Sequence, residues 1–502
     1  VELLLRDERA DVNAEMSDGS TPLWVASRKG HAAVVEQLLN DPPARLAMAK
    51  RAQQRAHDLF APEQAASFWR PWIEGGSTGL FRRQSSELAL SAKRRKLLVL
   101  NVFFAPQSIG GATRVAQDQV KALVDQLGDQ WEVTVLCTDQ APWQHVDPDG
   151  GEALDPNAEP RQIWERQQPL AVDVHGWHGA RVVRLSVPLR PWREHDDVSV
   201  EAFCRRWMPD ESFDLIHAHC LQVLSVAPLL VARELGIPYI VTLHDGWWLS
   251  PRQFLTRVNG RPVPVDDPLG HFDQPDQVEP SIVARDQQRR HDLADVLKGA
   301  AARLAVSQAF ADLHHQAGID DVTVQDNRWQ PMPSAQPRQQ RAADQPLRCC
   351  FVGGMGLHKG MAVLQSAFMQ AEPAEPGLQL TVIDSTLQAG DQYDLIWGHT
   401  AVQFLPSIPM AEMADFYADH DVLLAPSTWP ESYGLVTREA LSAGLWVVAS
   451  DIGALAEPIQ HGVNGHRVRP NDSEALAKVL EDLSAEHPHP QPLIAFCESR
   501  PP

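Results

Sequence analysis

The chain has 502 residues, 44% of them hydrophobic and 22% charged, and its formal net charge is −21 at pH 7. The length exceeds what one ordinary core needs and predicts at least two domains, while the negative charge argues against nucleic acid and anionic membranes as general partners. The six cysteines form no C-x-x-C pair and no apolar run is long enough to cross a bilayer, so we expect reduced thiols and a cytoplasmic location.

Residues 1–50 resemble ankyrin repeats. The stretch DGSTPLWVASRKGHAAVVEQLL has a turn at Asp18-Gly19 and a helix start at Thr21-Pro22, but it completes only about one and a half units, whereas such repeats need about three neighbours to bury a core. We therefore predict a remnant, followed by a linker over 51–95. The basic run KRRK at its end is either a weak membrane-surface contact or a solvated lead-in to the first strand.

Residues 96–325 are predicted as one Rossmann-like domain. The run LLVLNVFF (97–104) is typical of a buried parallel strand, VAQDQVKALVDQL has helical spacing, and WEVTVLCT is a second strand. Further strands are predicted at 180–187, 213–219, 238–245 and 302–307. Repetition of strand, helix and strand indicates a parallel, doubly wound sheet.

A second Rossmann-like domain is predicted over 347–484. The polar, proline- and glutamine-rich segment at 326–346 is predicted as the interdomain linker, and 485–502 as a Pro-rich tail. The predicted strands of this domain are 347–354, 378–384, 401–406, 421–427, 445–451 and 465–470. Functional residues are expected in the loops that follow the strands, because ligands bind at the carboxyl ends of the strands in such sheets.

Two loops of the first domain carry candidate residues. In PQSIGGATR, Gly110 and Gly111 stand between a strand and a helix, where backbone amides can approach an anion, although a bare tight turn explains them equally well. In VTLHDGWW, His244 ends a very apolar strand and either hydrogen-bonds a substrate or packs as a structural residue. The first loop lacks G-x-G-x-x-G spacing, which argues against a dinucleotide oxidoreductase.

The segment FVGGMGLHKG opens the second domain's candidate site. Gly353 and Gly354 form a glycine cluster directly after a buried strand, and Lys359 follows them. A lysine at such a loop neutralises a phosphate as a point charge. An exposed lysine at a helix start explains this loop equally well.

The stretch TWPESYGLVTREALSAG sets two glutamates eight positions apart. Glu431 lies in a loop after a strand, and Glu439 lies about one turn inside the helix that follows Gly434. The amides of Leu435 and Val436 at the helix N-terminus favour a diphosphate, and carboxylates on either side accept hydrogen bonds from hydroxyls. The alternative is one surface helix carboxylate and one loop carboxylate without a shared role.

Together these pieces resemble the retaining glycosyltransferases of family 4. The block PSTWPESYGLVTREALSAGLWVVASDIGALAEPIQHGVNGHRV carries the family's Glu, seven residues, Glu spacing, and Glu457 approximates its G-x-x-E segment. Earlier pieces match in order: PQSIGGA, FDLIHAH, VTLHD, LAVSQAF, VQDNRWQP and FVGGMGLHKG. The resemblance covers residues 96–484 and implies an α/β chain of the GT-B fold. Two doubly wound Rossmann-like domains would face each other across a cleft, preceded by the short all-α ankyrin-like segment.

The resemblance implies transfer of a sugar from a UDP-, GDP- or ADP-sugar to a hydroxyl of a carbohydrate or lipid-linked acceptor, in polysaccharide or glycoconjugate synthesis. Retention of configuration, no cofactor and no metal are further implications. Glu431 would contact the donor sugar and Glu439 the ribose, with His244 near the anomeric carbon. The implied diphosphate site comprises Lys359, the amides of Gly434, Leu435 and Val436, and the glycines Gly110, Gly111, Gly353 and Gly354.

Several features depart from the family pattern. Gly354 stands where the family usually has an arginine as a second phosphate cation, and NRW at 327–329 replaces an Asn-Gly turn. The chain ends in EHPHPQPLIAFCESRPP, where relatives continue into a helix that crosses back onto the first domain. One alternative is therefore a catalytically impaired relative that binds a nucleotide-sugar. A second is an interaction protein built on the ankyrin-like segment.

Overall fold

The computed structural model describes residues 94–107, 110–138, 170–187, 194–257, 261–327 and 344–486. The predicted ankyrin-like remnant lies outside the described residues, as do nearly all of the first linker, most of the interdomain linker and most of the Pro-rich tail. Both sheets belong to one compact unit made of Arg95–Val124 and Trp131–Pro501. The predicted domain boundaries stay predictions.

The first sheet has, within the described residues, eight strands in the order β3-β4-β2-β1-β5-β6-β7-β8. These strands are β1 (Arg95–Leu100), β2 (Trp131–Thr138), β3 (Ala171–Trp177), β4 (Ala180–Ser186), β5 (Leu215–Ala218), β6 (Tyr239–Leu243), β7 (Ala302–Ala305) and β8 (Val322–Val324). All neighbours pair in parallel except β3 with β4. The central strands are short apolar runs, as a parallel sheet covered on both faces requires.

Helices connect these parallel strands and bury the faces of the sheet. They are α1 (Gly110–Leu127), α2 (Val198–Glu211), α3 (Ala227–Leu235), α4 (Pro280–Lys298) and α5 (Gln308–Gln316). The core between sheet and helices includes Leu100, Ile216 and Val241 from the strands and Leu229 and Leu293 from the helices, all essentially inaccessible to solvent. The predicted doubly wound arrangement of this domain is therefore confirmed.

The second sheet has seven strands in the order β11-β12-β10-β9-β13-β14-β15 within the described residues. Its strands are β9 (Leu347–Val352), β10 (Leu378–Ile383), β11 (Tyr393–Trp397), β12 (Thr400–Leu405), β13 (Val422–Ala425), β14 (Trp446–Ser450) and β15 (Gly465–Val468). Its helices are α6 (Met361–Gln370), α7 (Met413–Ala418), α8 (Leu435–Ser442) and α9 (Ser473–Glu486). All six predicted strands are present, and a separate apolar core lies on each face.

Two outer strands were not predicted from the sequence. Both β3 and β11 form antiparallel hairpins with the next strand, and most of their side chains are exposed. The turn between β3 and β4 is His178-Gly179, with positive φ at both residues, as two-residue hairpins prefer. An exposed edge strand has no buried face to impose alternation, and His-Gly is a weaker hairpin signal than Asn-Gly.

The first predicted strand is also shorter than its apolar run. β1 ends at Leu100, and Asn101 turns its side chain back to the chain, with Nδ2 donating to the carbonyl of Phe103 and Oδ1 accepting from the amide of Cys220. Val102 and Phe103 are nevertheless buried in a small apolar cluster with Cys220. The apolar run therefore predicted burial correctly and strand length incorrectly.

Candidate active site

Lys359 and Glu431 meet at the carboxyl ends of β9 and β13. The lysine loop, residues 353–360, follows β9, and the carboxylate loop, residues 426–434, follows β13. The Nζ atom of Lys359 lies 3.0 Å from Oε1 of Glu431. The same Oε1 accepts a hydrogen bond from Ser427, whereas Oε2 of Glu431 makes no hydrogen bond to any described residue. One carboxylate oxygen is therefore left to accept a hydrogen bond from a ligand.

Backbone packing holds these two loops together. β9 and β13 are neighbours in the sheet, with Cys349 opposite Val422, so their following loops begin side by side. At Gly360, which has φ of +82°, any side chain would collide with the carbonyl oxygen of Pro426. Only glycine combines that conformation with that approach. Lys359 is consequently held directly beside the start of the carboxylate loop.

Charge pairing keeps Glu431 ionised. Burial raises the pKa of this carboxyl group, but the positive charge of Lys359 and the hydrogen bonds from Ser427 and Lys359 lower it by more, so the pKa lies below its usual value. The side chain of Glu431 is 9% exposed and that of Lys359 is 24% exposed. An ionised carboxylate accepts hydrogen bonds and donates none, which suits recognition of sugar hydroxyls.

Helix α8 begins directly after the carboxylate loop. Gly434 precedes it in the left-handed conformation, with φ of +74°, and a Cβ there would lie 2.9 Å from a methyl carbon of Leu455. No side chain of the described residues caps the helix, so the amides of its first turn, beginning at Leu435 and Val436, are left to an external partner. The side chain of Val436 itself packs against the core beneath.

Glu439 lies one turn into α8 and is buried. Its Oε1 forms an ion pair with Arg114 of α1, and its Oε2 lies 3.4 Å from the hydroxyl of Tyr417. Arg114 is 30% exposed and also contacts the sulfur of Met410. Arg114 was not predicted from the sequence. Its only signal was its place one turn into α1, after Gly110-Gly111.

Two of the remaining predicted glycines lie beside site residues. Gly110 and Gly111 form the start of α1, and a Cβ on Gly111 would lie 3.1 Å from a methyl carbon of Leu435. The two helix N-termini therefore approach each other. Gly353 and Gly354 follow β9, where a Cβ on Gly353 would lie 3.7 Å from the side chain of Lys359. A Cβ on Gly110 would meet no atom within 4 Å, and one on Gly354 would lie 3.6 Å from the hydroxyl of Ser385.

His244 follows β6 and belongs to a buried group that we call the histidine ladder: His217, Thr242, His219 and His244. His219 and His244 share a hydrogen bond of 2.8 Å between Nδ1 and Nε2, and His217 Nε2 lies 2.8 Å from Thr242 Oγ1. Burial lowers the pKa of His217 to about 3 and that of His244 to about 4, and that of His219 lies well below its usual value. All three rings are therefore uncharged at neutral pH.

Several contacts from the first domain hold the carboxylate loop. The Ser307 hydroxyl donates to the carbonyl oxygen of Ser432 at 2.6 Å, and the amide of Ala309 donates to Glu457 at 3.0 Å. Glu457 also pairs with the buried Arg438 of α8, which donates to the carbonyl of Tyr433. Arg438 and Glu457 thus hold the carboxylate loop in place and are not themselves part of it.

An aromatic contact joins the two domains beside Lys359. The ring of Phe254, from the loop after β6, stacks on His358 with centroids 4.0 Å apart and planes 6° apart. Trp429 meets Phe254 edge-on at 5.3 Å. Burial, followed by the charge of Lys359, lowers the pKa of His358 to about 4, so this stack is also uncharged at neutral pH.

The described residues contain no cluster of three or more histidine, cysteine, aspartate or glutamate residues able to hold a metal ion. They also contain no helix with the length and apolarity that crossing a membrane requires.

Family models match adjoining parts of the chain. The model described as glycosyl transferase 4-like domain matches residues 110–327, and the model described as glycosyl transferases group 1 matches residues 334–496. An ankyrin repeat model matches residues 18–47, which lie outside the described part of the structure. The two larger matches cover most of the predicted resemblance over 96–484 and contain every candidate site residue.

The named relatives that this chain resembles are also sugar transferases. A D-inositol 3-phosphate glycosyltransferase of Streptosporangium roseum is 26% identical over 290 residues, which are 53% of this chain and 60% of the relative. A phosphatidyl-myo-inositol mannosyltransferase of Mycobacterium tuberculosis is 34% identical over 126 residues, 25% of this chain and 33% of the relative. This chain thus spans about 60% of the length of the first of these relatives.

A solved structure shares the fold. Sucrose-phosphate synthase from Thermosynechococcus elongatus superposes with a TM-score of 0.51 and 20% sequence identity, over 78% of this chain and 90% of that one. At this identity the likeness concerns the arrangement of the two sheets and their helices alone.

Proposed function

From the premise that this chain belongs to the group 1 glycosyl transferases and has their two-domain GT-B fold, we propose that it transfers a sugar from a nucleoside-diphosphate-sugar to a hydroxyl acceptor. The observation that carries this proposal is the ion pair between the half-buried Lys359 and the buried Glu431, which lies directly before the uncapped start of α8. A cation, free amides and an ionised carboxylate in this order suit a diphosphate with a sugar attached.

The proposed roles follow from the charges of the groups. Lys359 and the amides of Leu435 and Val436 would hold the diphosphate and stabilise the charge that develops on it as the bond to the sugar breaks. Oε2 of Glu431 would accept a hydrogen bond from a hydroxyl of the donor sugar. Glu439 would bind the ribose, in exchange for its present contact with Arg114.

Retention of configuration and independence from metal are parts of the same proposal. Glu431 is paired with Lys359 and Ser427, so it is engaged in binding and is not poised as a covalent nucleophile. We infer that the acceptor hydroxyl attacks from the face that the leaving diphosphate occupies. The cation and the helix amides would supply the charge stabilisation that a metal ion supplies in other transferases.

Nucleotide binding is the first test of the proposal. Thermal unfolding is measured with UDP, GDP and ADP and with the matching nucleosides, since a ligand that binds only the native state raises the unfolding temperature. We expect one diphosphate to stabilise the protein more than its nucleoside does. Equal and negligible shifts with all three diphosphates would overturn the proposal.

Sugar transfer is the second test. Release of nucleoside diphosphate from sugars of the preferred base is followed with and without EDTA, and the anomeric configuration of the product is determined by proton NMR. Retention and insensitivity to EDTA are expected. An inverted product would refute the mechanism. Nucleotide binding without any release, across a panel of donors and acceptors, would instead favour the catalytically impaired relative.

A further inference from the structure

His219 and His244 occupy equivalent places on neighbouring strands. His219 directly follows β5 and His244 directly follows β6, and the two strands pair in parallel. The pair His217–Thr242 spans 25 residues in sequence, and so does the pair His219–His244. Residues two apart on a strand point to the same face, so the ladder is a regular cross-strand arrangement. The second pair is the one nearest the carboxyl ends of the strands.

The hydrogen bond between these two rings has two possible directions. A neutral imidazole carries one N–H group and one unprotonated nitrogen, and both rings are neutral at pH 7 because burial disfavours their charged forms. Either His219 Nδ1 donates to His244 Nε2, or His244 Nε2 donates to His219 Nδ1. The direction decides which nitrogen of His244 carries a proton.

The surroundings of the other ring nitrogen of His219 decide between the two directions of this hydrogen bond. Its Nε2 is buried and has no hydrogen-bond partner in the described part of the structure. A proton there would be a buried N–H group without an acceptor, which is rare in folded proteins because it loses its hydrogen bond to water without replacement. An unprotonated nitrogen at the same place is less unfavourable. The proton of His219 therefore belongs on Nδ1.

We propose that His219 is a positioning residue: it donates its Nδ1 proton to Nε2 of His244 and so holds His244 in the tautomer protonated at Nδ1. The Nδ1 atom of His244 makes no hydrogen bond to the described residues, but unlike Nε2 of His219 it is not fully buried, so an N–H group there can reach a ligand or water. His244 then offers a hydrogen-bond donor to an oxygen of the substrate and does not act as a base through that nitrogen. This role in turnover rests on the proposed function, whereas the tautomer itself does not.

A carboxylate does not perform this task here. Asp245, the neighbour of His244, accepts hydrogen bonds from Gln222 Nε2 at 2.6 Å and from the amide of Trp247 at 3.0 Å. It thereby caps the short helix Gly246–Trp248 that follows β6. Orientation of a histidine by a carboxylate would favour its charged form, whereas orientation by a second neutral histidine leaves it uncharged.

Nitrogen-15 NMR of the histidine side chains in the full chain tests the tautomer directly. The protein is labelled with nitrogen-15 histidine, and the His244 signals are those that His244→Gln removes. We expect His244 to be protonated at Nδ1 and unprotonated at Nε2 at pH 7, and His219 likewise. Protonation of His244 at Nε2 would overturn the proposal. This readout needs neither substrate nor turnover, so it stands even if the proposed function fails.

Two substitutions of His219 test its positioning role. In His219→Asn the amide Nδ2 lies near the place of the imidazole Nδ1 and keeps a donor, whereas His219→Phe keeps the ring and removes the donor. We expect His219→Phe to lower kcat about tenfold, on the scale of one lost hydrogen bond to a substrate, and His219→Asn to stay within about threefold of the wild type. KM for the donor should change little in both.

The two substitutions also distinguish a positioning role of His219 from a packing role. If His219 served only to fill space, Phe would preserve activity better than the smaller Asn, and that order of activities would refute the positioning role. Thermal unfolding of both variants shows whether each is folded. If His219→Phe does not fold, the NMR experiment on the wild-type protein still decides the tautomer.

Discussion

The carboxylate loop and the histidine ladder hold buried polar groups in opposite ways. Around the loop each buried glutamate has a cation, Lys359 for Glu431 and Arg114 for Glu439. Around the ladder, three buried histidines are uncharged and contact one another and a threonine hydroxyl. A buried charge needs a partner, whereas a neutral imidazole needs only hydrogen bonds. The carboxylate loop is therefore suited to stabilising charge, and the histidine ladder is suited to orienting a hydrogen-bonding group.

Removing Lys359 should have the largest effect, because it takes away the cation that pairs with Glu431. We expect Lys359→Ala to lower kcat/KM about a hundredfold, because the diphosphate loses a preorganised cation. Steady-state release of nucleoside diphosphate measures this. Lys478→Ala is the matched control, since that lysine is 68% exposed on α9. Near-normal turnover in Lys359→Ala would remove Lys359 from the mechanism, and Lys359→Arg should retain part of the activity.

Neutralising Glu439 should have a smaller effect that is confined to the nucleoside. We expect Glu439→Gln to weaken binding of the preferred nucleoside diphosphate about tenfold, because an amide accepts ribose hydroxyls less strongly than a carboxylate does. Inorganic pyrophosphate should bind Glu439→Gln and the wild type equally. Isothermal titration calorimetry with both ligands distinguishes the two sites. A parallel loss for pyrophosphate would place Glu439 on the phosphates instead.

Removing Arg114 tests whether the second carboxylate depends on its cation. Arg114→Gln leaves the buried Glu439 with only Tyr417, and we expect a loss of about 1 kcal/mol in unfolding free energy at pH 7, a value discounted because Arg114 is 30% exposed. Urea unfolding measures it, with Arg114→Lys, which keeps the positive charge, as the comparison. A loss of the same size in Arg114→Lys would point to packing rather than charge.

The two regions should also respond to acid at different pH. The histidines of the ladder have lowered pKa values in the folded protein, so below pH 6.5 the unfolded state binds more protons and stability falls, down to about pH 4 for His244 and about pH 3 for His217. Asp245, whose pKa burial raises to about 6, acts in the opposite direction between about pH 6 and 3.8 and offsets part of this loss. Glu431, whose pKa is lowered, loses its contribution only below 4.5.

Urea unfolding at pH 7 and pH 5.5 makes this difference measurable. Over this range one ladder histidine accounts for on the order of 1 kcal/mol. We expect His219→Phe to lose less stability than the wild type does between the two pH values, because one titrating group is gone. Glu431→Gln should lose as much as the wild type. The reverse order would show that acid sensitivity in this range arises in the carboxylate loop. His314, His358 and His420 also have lowered pKa values, so only the difference between variants is informative.

The sequence predicted the fold of the described residues where burial imposes a pattern. The central strands of both sheets are buried on both faces, so they appear as short apolar runs that connecting helices separate. The outer strands β3 and β11 have exposed faces and no such runs. The only sequence signal for each was the hairpin turn that follows it. Whether a strand could be predicted therefore depended on its place in the sheet, central or outer, and not on its length.

The candidate site was predictable in its loops but not in its pairings. Spacing marked Glu431, Glu439 and Lys359 as candidates, because each follows a strand or a helix start, and the family resemblance then gave them roles. That Arg114 would pair with Glu439 depends on contacts between residues 325 positions apart, which no local pattern encodes. The same holds for His219 and His244, where two separate strand ends must become neighbours before either histidine gains its partner.

The contact of Gly360 with the carbonyl of Pro426 has a consequence for redesign. Because backbone touches backbone there, the lysine loop and the carboxylate loop form a single cassette whose two halves cannot be exchanged separately. A chimaera that takes one loop from a relative with a different sugar preference should fold poorly, while one that takes residues 353–360 and 426–434 together should carry the donor specificity with it.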